Sequence, residues 1–274
     1  MFANKLIQPF FEYFLDKAID DFINEPKQGL THLEKISQDF NQLHLKDIIL
    51  KLKQNNSLLT HLQKILIKTN KAVIRSFILN IMQAINKRKT EILHFDFRKS
   101  PPLQVNQIKN LLSKTEKIAY ACFLLKDYPE LEALVKLLQK ERDTIFFIFL
   151  EPRELTSNVI EALSETENIS LLLQADNLNN LHEANKLISK CHCLSGAYVF
   201  VNQENLNIYL NQKYFKSLQE TEIAFLIYIR TEKLPDTIKI DYLKFLKENR
   251  FRYFPVFDFH EDQKSLINIF FKKT

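Results

Sequence analysis

The sequence predicts an α/β fold built on a parallel sheet and preceded by an all-helical N-terminal region, and three observations carry that prediction. Thr144 to Leu150, T-I-F-F-I-F-L, is an unbroken apolar run closed by Glu151-Pro152. A strand with no polar alternation has to be covered on both faces, as strands of a parallel sheet are. Similar short runs recur at Ile92 to Phe97, Ile118 to Leu125, Ile169 to Leu173, Ala197 to Val201 and Ile223 to Ile229. A segment of helical period follows each run, so strands and helices alternate as in βα units. Units of this kind either curl into a barrel or lie open, and spacing does not choose between the two.

Before the first strand the pattern is helical throughout. Leu6, Phe10, Phe14, Ala18 and Phe22 form one stripe, ending before Asn24-Glu25-Pro26. Leu30, Leu33, Ile36, Phe40 and Leu43 form a second, which Ile48, Ile49 and Leu52 continue after a break near His44. Asn55-Asn56-Ser57 caps a helix over Leu58 to Ile67, and Ile74, Phe77, Ile78, Ile81 and Ile85 mark a fourth, running into Lys87-Arg88-Lys89.

Each later helix has its own start signal. Pro101-Pro102 precedes Val105, Ile108, Leu111 and Leu112, and Asp127 with Pro129 precedes Leu131, Leu134, Val135 and Leu138. Glu151-Pro152 leads to Val159, Ile160 and Leu163, and Asp176 leads to Leu181, Ala184, Leu187 and Ile188. Asn202 or Asn205 precedes Leu206, Tyr209 and Leu210, and Pro235-Asp236 opens a helix with Tyr242, Leu243 and Leu246. Phe251 to Phe259 reads as a last strand, with a short helix over Gln263 to Phe271. The expected domains are therefore 1–90, helical and basic, and 91–274, the β/α region.

Composition excludes several classes. With two glycines, Gly29 and Gly196, the chain cannot build the glycine-rich turns of a P-loop or a dinucleotide fingerprint. Three cysteines, Cys122, Cys191 and Cys193, give no disulfide framework and point to a reducing, cytoplasmic setting. No stretch reaches the roughly 20 apolar residues of a membrane span, and the N-terminal residues read as an amphipathic helix, not a signal peptide.

Charge is unevenly spread. Residues 1–90 carry 14 Lys/Arg against 8 Asp/Glu, whereas residues 91–274 carry 24 against 25. Lys64, Lys68, Lys71, Arg75, Lys87, Arg88 and Lys89 mark the basic surface. Such a surface suits an acidic protein, nucleic acid or another anionic surface as partner, or is a solvated lysine-rich face.

Candidate chemistry is expected where strands end and their loops converge. Asp96, Glu151, Arg230 and Asp258 are the candidate catalytic groups for acid-base work. Arg98, Lys126, Arg153, Gln174, Asn202 and His260 are candidate ligand-binding groups beside them. The competing reading makes Asp127 and Asp176 helix caps and the remainder surface ion pairs. Cys191-His192-Cys193 could contribute to a zinc site, yet no second ligand pair lies near it, and an ordinary segment at a helix end is favoured. Metal ligands are otherwise not expected.

One family resemblance follows from these residues. Tyr128-Pro129-Glu130-Leu131 after the second strand, and the segment DTIFFIFLEPRELTSNVIEALSETENISLLLQAD, resemble the radical S-adenosylmethionine superfamily over roughly residues 70–260. The resemblance implies a partial (β/α)6 barrel of the TIM type. It also implies an iron-sulfur cluster held by C-x-x-x-C-x-x-C after the first strand, where Asp96 to Ser113 contains no cysteine. Where the family's G-G-E would follow the second strand stands Cys122-Phe123-Leu124, and its T-N-G-like turn is replaced by Glu151-Pro152-Arg153. The expectation is a degenerate, cluster-free relative that works as a binding or accessory protein. The alternatives are a cluster-free enzyme using the carboxylates and arginines at the barrel mouth, and a protein that binds nucleic acid or an anionic surface through the basic helices.

Overall fold

The computed structural model describes residues 3–39, 49–50, 52–76, 91–98, 102–115, 118–142, 144–249 and 252–259. Expected features at Phe40 to Ile48, at 77–90 with Lys87, Arg88 and Lys89, at His260 and at Gln263 to Phe271 lie outside the described residues. The chain forms two compact units: Lys68–Phe200 with Thr221–Ile227, and Met1–Ile67 with Val201–Glu220 and Tyr228–Thr274.

The sheet has seven strands in sequence order: β1 (Glu91–Asp96), β2 (Ile118–Leu124), β3 (Ile145–Leu150), β4 (Ile169–Gln174), β5 (Leu194–Val201), β6 (Leu226–Arg230) and β7 (Val256–Asp258). The strands are parallel and the sheet is curled, so the chain is an α/β protein with a partial TIM-type barrel. Strict sequence order is what uniform βα crossovers produce, since each helix returns the chain to the same end of the sheet.

In the Lys68–Phe200 unit the apolar runs lie where the pattern places them. Phe146, Ile148, Phe149 and Leu150 of β3 and Leu171, Leu172 and Leu173 of β4 are buried on both faces. The register pairs Phe123 with Ile148, Ile148 with Leu171, and Leu172 with Gly196. Gly196 has a packing reason, because a Cβ there would lie 2.6 Å from the Phe225 ring. Curvature is visible in one contact. The Arg98 guanidinium, just past β1, lies 4.5 Å from the centre of the Phe200 ring on β5. Four interstrand steps of about 4.8 Å would separate those strands by about 19 Å in a flat sheet, beyond the reach of one arginine.

The crossovers of this unit are α4 (Val105–Lys114), α5 (Leu131–Leu138), α6 (Ser157–Ser164) and α7 (Leu178–Ile188), numbered after three N-terminal helices described below. The starts of α6 and α7 are fixed by side chains that accept otherwise unpaired N–H groups. Thr156 accepts from Val159 at 3.3 Å, and Asn177 accepts from Asn179 at 3.0 Å and Asn180 at 3.4 Å. The Asn168 side chain is buried and donates to the carbonyls of Leu138, Glu141 and Thr144, locking the approach to β3 against that of β4.

The other unit begins with α1 (Ala3–Asn24), α2 (Pro26–Asp39) and α3 (Asn56–Lys68, of which Asn56–Ile67 belong here). Phe22, Leu30, Ile49, Leu52, Leu58 and Leu59 form its N-terminal core. Gly29 permits α1 and α2 to meet closely, since a Cβ would lie 2.4 Å from the Phe22 backbone. His32 and Asp21, 2.5 Å apart, bridge the same pair of helices. The β5–β6 crossover holds two helices, α8 (Leu206–Tyr209) and α9 (Gln212–Gln219), where the sequence pattern gives one. Asn211 separates them by accepting the Tyr214 N–H at 3.0 Å. The last helix among the described residues is α10 (Asp236–Asn249).

Candidate functional site

The candidate residues of the Lys68–Phe200 unit gather at the C-terminal ends of β1 to β5, on the loops that leave the sheet. Arg98 grips Asp96 in a bidentate pair, Nε to Oδ1 at 2.8 Å and Nη2 to Oδ2 at 2.6 Å, and keeps its face over Phe200. After β3, Arg153 pairs with Glu151 at 2.8 Å and approaches Asp127 at 3.7 Å. After β4, Gln174 donates to Asp176. Register sets Gln174 opposite Tyr198, whose hydroxyl donates to Gln174 Oε1 at 3.4 Å. Phe149 and Phe200 each meet the Tyr198 ring edge-on, at 5.2 and 5.4 Å. Lys126 is exposed.

Glu154 organises the rim although the sequence reading passed it over. One carboxylate oxygen accepts the Asp127 N–H at 2.6 Å, and the other accepts the Glu151 N–H at 2.7 Å. The loops after β2 and β3 are thereby tied together, with Asp127 held at a φ of 50° that aspartate tolerates better than most residues. Burial raises the Glu154 carboxyl above its ordinary range, against the lowering effect of those two N–H donors. Asp176 is also raised, first by burial and then, among other influences, by the charge of Glu151. Burial pushes the Tyr198 hydroxyl up as well; Asp176, Glu151 and Glu154 reinforce the effect while Arg98 opposes it. The charges of these four groups all act on one phenol. Counting Asp96, Asp127, Glu151, Glu154 and Asp176 against Arg98, Lys126 and Arg153, the rim is acidic among the described residues.

Two expected caps have other roles. Asn177, not Asp176, caps α7, and Asp127 contributes a strained turn and an ion pair. A chain can form only one N-cap per helix, and Asn177 lies one residue closer to the first turn.

The remaining candidates belong to the other unit. Asp258, at the end of β7, is fully buried; it accepts the Tyr242 hydroxyl at 2.5 Å and pairs with Arg230 Nε at 3.3 Å. Tyr228 lies tilted against Tyr242, ring centres 6.1 Å apart, and donates its hydroxyl to the Tyr209 carbonyl at 2.7 Å. Burial, then the Asp258 charge, pushes the Tyr242 hydroxyl far above its usual range. Asn202 is a turn residue: its side chain accepts the Glu204 and Asn205 N–H groups at 3.1 and 2.9 Å, and Asn205 accepts the Asn202 N–H at 2.8 Å.

The basic surface is partly neutralised. Lys64 is exposed on α3, but Lys68 is ion-paired with Glu222. Lys71 and Arg75 are half-buried, and both are engaged with neighbours.

The cluster that the resemblance implies requires thiolates gathered at the exit of β1. Cys122 lies inside β2, its thiol buried and pushed well above the usual range by that burial. Cys191 and Cys193 precede β5, at the end of the sheet opposite to where β1 finishes. The residues present do not fit an iron-sulfur cluster at the expected place.

Fold and site together define a parallel partial-barrel protein with an acidic, cross-braced rim at its strand ends. No known family and no curated protein matches the chain. Among solved structures it is similar to Streptococcus suis SuiB, with 8% identity and a TM-score of 0.46 over 62% of this chain and 48% of that one. It is likewise similar to SuiB bound to precursor peptide SuiA, with 9% identity and a TM-score of 0.46 over 69% and 54% of the two chains. The chain thus spans about half the length of the structures it matches. No described helix is long and apolar enough to cross a membrane.

Proposed function

We propose that this chain is a radical-S-adenosylmethionine-like barrel that has lost cluster and radical chemistry and serves as a binding or accessory protein. In this reading residues 91–274 are the barrel and residues 1–90 a basic helical domain. The observation that carries it is the placement of the thiols: the stretch from Asp96 to Ser113 has none, and the three cysteines lie in mid-strand or on the far side of the sheet. The rim supports the same reading, because its arginines are committed to neighbouring carboxylates and its loops are braced by Glu154. An acidic surrounding favours a cationic or amide-bearing ligand over an anionic one. Anaerobic reconstitution with iron and sulfide tests the proposal. The expected result is protein without the broad visible absorbance of a [4Fe–4S] cluster, and a stable cluster that binds S-adenosylmethionine overturns it.

A second reading, cluster-free catalysis, draws on the raised carboxyls of Asp176 and Glu154 beside Tyr198, since proton-transfer groups need values shifted toward neutrality.

A further inference from the structure

The Cys191-His192-Cys193 turn is not used by the rim chemistry, and its geometry is specific. Both thiols are buried, and their Sγ atoms lie 2.7 Å apart, closer than two sulfurs rest without bonding or sharing a proton. The Ser195 hydroxyl lies 3.7 Å from Cys193 Sγ. Between the thiols, exposed His192 anchors the start of the unit: its Nδ1 lies 3.2 Å from the Lys68 carbonyl, and its own carbonyl accepts the Asn70 N–H at 3.2 Å. The turn is therefore both a closely spaced dithiol and a clamp on residues 68–70.

We propose that Cys191 and Cys193 are a reversible dithiol–disulfide couple, oxidised by peroxide, and that closing the disulfide alters the His192 clamp on Lys68 and Asn70. Donors around Cys193, chiefly the Cys191 thiol with help from Ser195 and the Leu171 N–H, lower its thiol and make it the attacking sulfur. The Cys193 thiolate displaces water from hydrogen peroxide, with one proton taken up, and becomes a sulfenic acid. The Cys191 thiol then attacks that sulfur; the S–O bond breaks, the hydroxyl leaves with the Cys191 proton as a second water, and the S–S bond forms. Each sulfur gives one electron and peroxide takes both. A ring spanning a single intervening residue is strained, and strained disulfides are the easily reduced ones, so small thiols restore the pair. Cys122 takes no part, since it is enclosed in β2 and its thiol stays protonated.

The test treats the full chain with hydrogen peroxide and then alkylates it under denaturing conditions. The expected product has lost two hydrogens, keeps one alkylatable thiol, assigned by peptide mapping to Cys122, and regains the other two after dithiothreitol. C122S should behave in the same way, whereas C191S and C193S should form no intramolecular bridge. Hydrogen exchange supplies the second readout: the Asn70 amide should exchange several-fold faster in the oxidised protein and return to its former rate on reduction. Stable oxygen adducts on either cysteine without a bridge, a bridge between chains, or three thiols still titratable would each overturn the couple. A bridge that leaves Asn70 exchange unchanged would overturn the clamp.

Discussion

Two Arg–Asp pairs stand at strand ends of this sheet, and they behave as opposites. Arg98–Asp96 is open to water, with side chains 22% and 36% exposed, while Arg230–Asp258 has 12% and 0%. The first pair has shorter contacts, 2.8 and 2.6 Å against the 3.3 Å approach of Arg230 Nε to Asp258. Geometry does not decide which matters more to the fold. In water a pair gains little over its two solvated halves, whereas a buried carboxylate without partners retains an uncompensated charge. The rim is thus a place where residues can change for function, and the Arg230–Asp258–Tyr242 trio is a fastening.

The largest effect should come from breaking that fastening. Asp258→Ala leaves the Arg230 charge half-buried and strips Tyr242 of its acceptor, so urea denaturation should show a loss of about 3–5 kcal/mol. Asp258→Asn restores an acceptor for Tyr242 and should lose visibly less. Equal losses in the two variants would mean that the carboxylate charge, absent from both, holds β7, and that the shape and acceptor asparagine keeps contribute little.

An intermediate effect concerns pH at the rim. Asp176 is held above its ordinary 3.8, so between that value and the raised one the folded chain binds more protons than the unfolded chain. Stability contributed at this position is greatest below the window and falls as pH rises through it. Asp176→Asn keeps an acceptor for Gln174 and cannot ionise. Denaturation midpoints of parent and variant, compared from acid pH upward, should diverge across the window, with the variant relatively more stable at its upper end. Parallel curves would place Asp176 in full solvent and remove it from the Tyr198 cluster.

The sequence made the scaffold legible and the sites only in part, for physical reasons. β3 and the Leu171–Leu173 run of β4 announce themselves because burial on both faces disfavours polar positions, Ser170 being accommodated by its bond to the Leu194 carbonyl, and that pattern is local. Helix α9 is a missed signal: Tyr214, Phe215 and Leu218 stand at the i, i+1, i+4 spacing of one helical face behind a capping Asn211. Tyr198 was hidden by its strand: it reads as one more apolar residue of Ala197 to Val201, although Tyr198 and Phe200 share a face and aim two aromatic rings at the rim. Glu154 follows Glu151 at the spacing of a capping box, a signal that was available. Arg230 and Asp258 are joined by topology alone, so only their strand-end positions were visible.

The smallest expected effect completes the comparison. Asp96→Asn removes the charge under Arg98 but leaves the guanidinium over Phe200, a contact that does not need the carboxylate. A part-exposed ion pair contributes about 0–1 kcal/mol, and bidentate geometry puts this one toward the upper end of that range. Because water and salt already compete for both partners, the parent's small advantage over Asp96→Asn should shrink further between low and high ionic strength. A buried pair such as Arg230–Asp258 is screened far less, so the cost of Asp258→Ala should be nearly independent of salt. If Asp96→Asn instead cost as much as Asp258→Ala and held that cost at high salt, Asp96 would be a structural anchor of the β1 exit. The division between an adaptable rim and a fixed core would then have to be redrawn around Arg98.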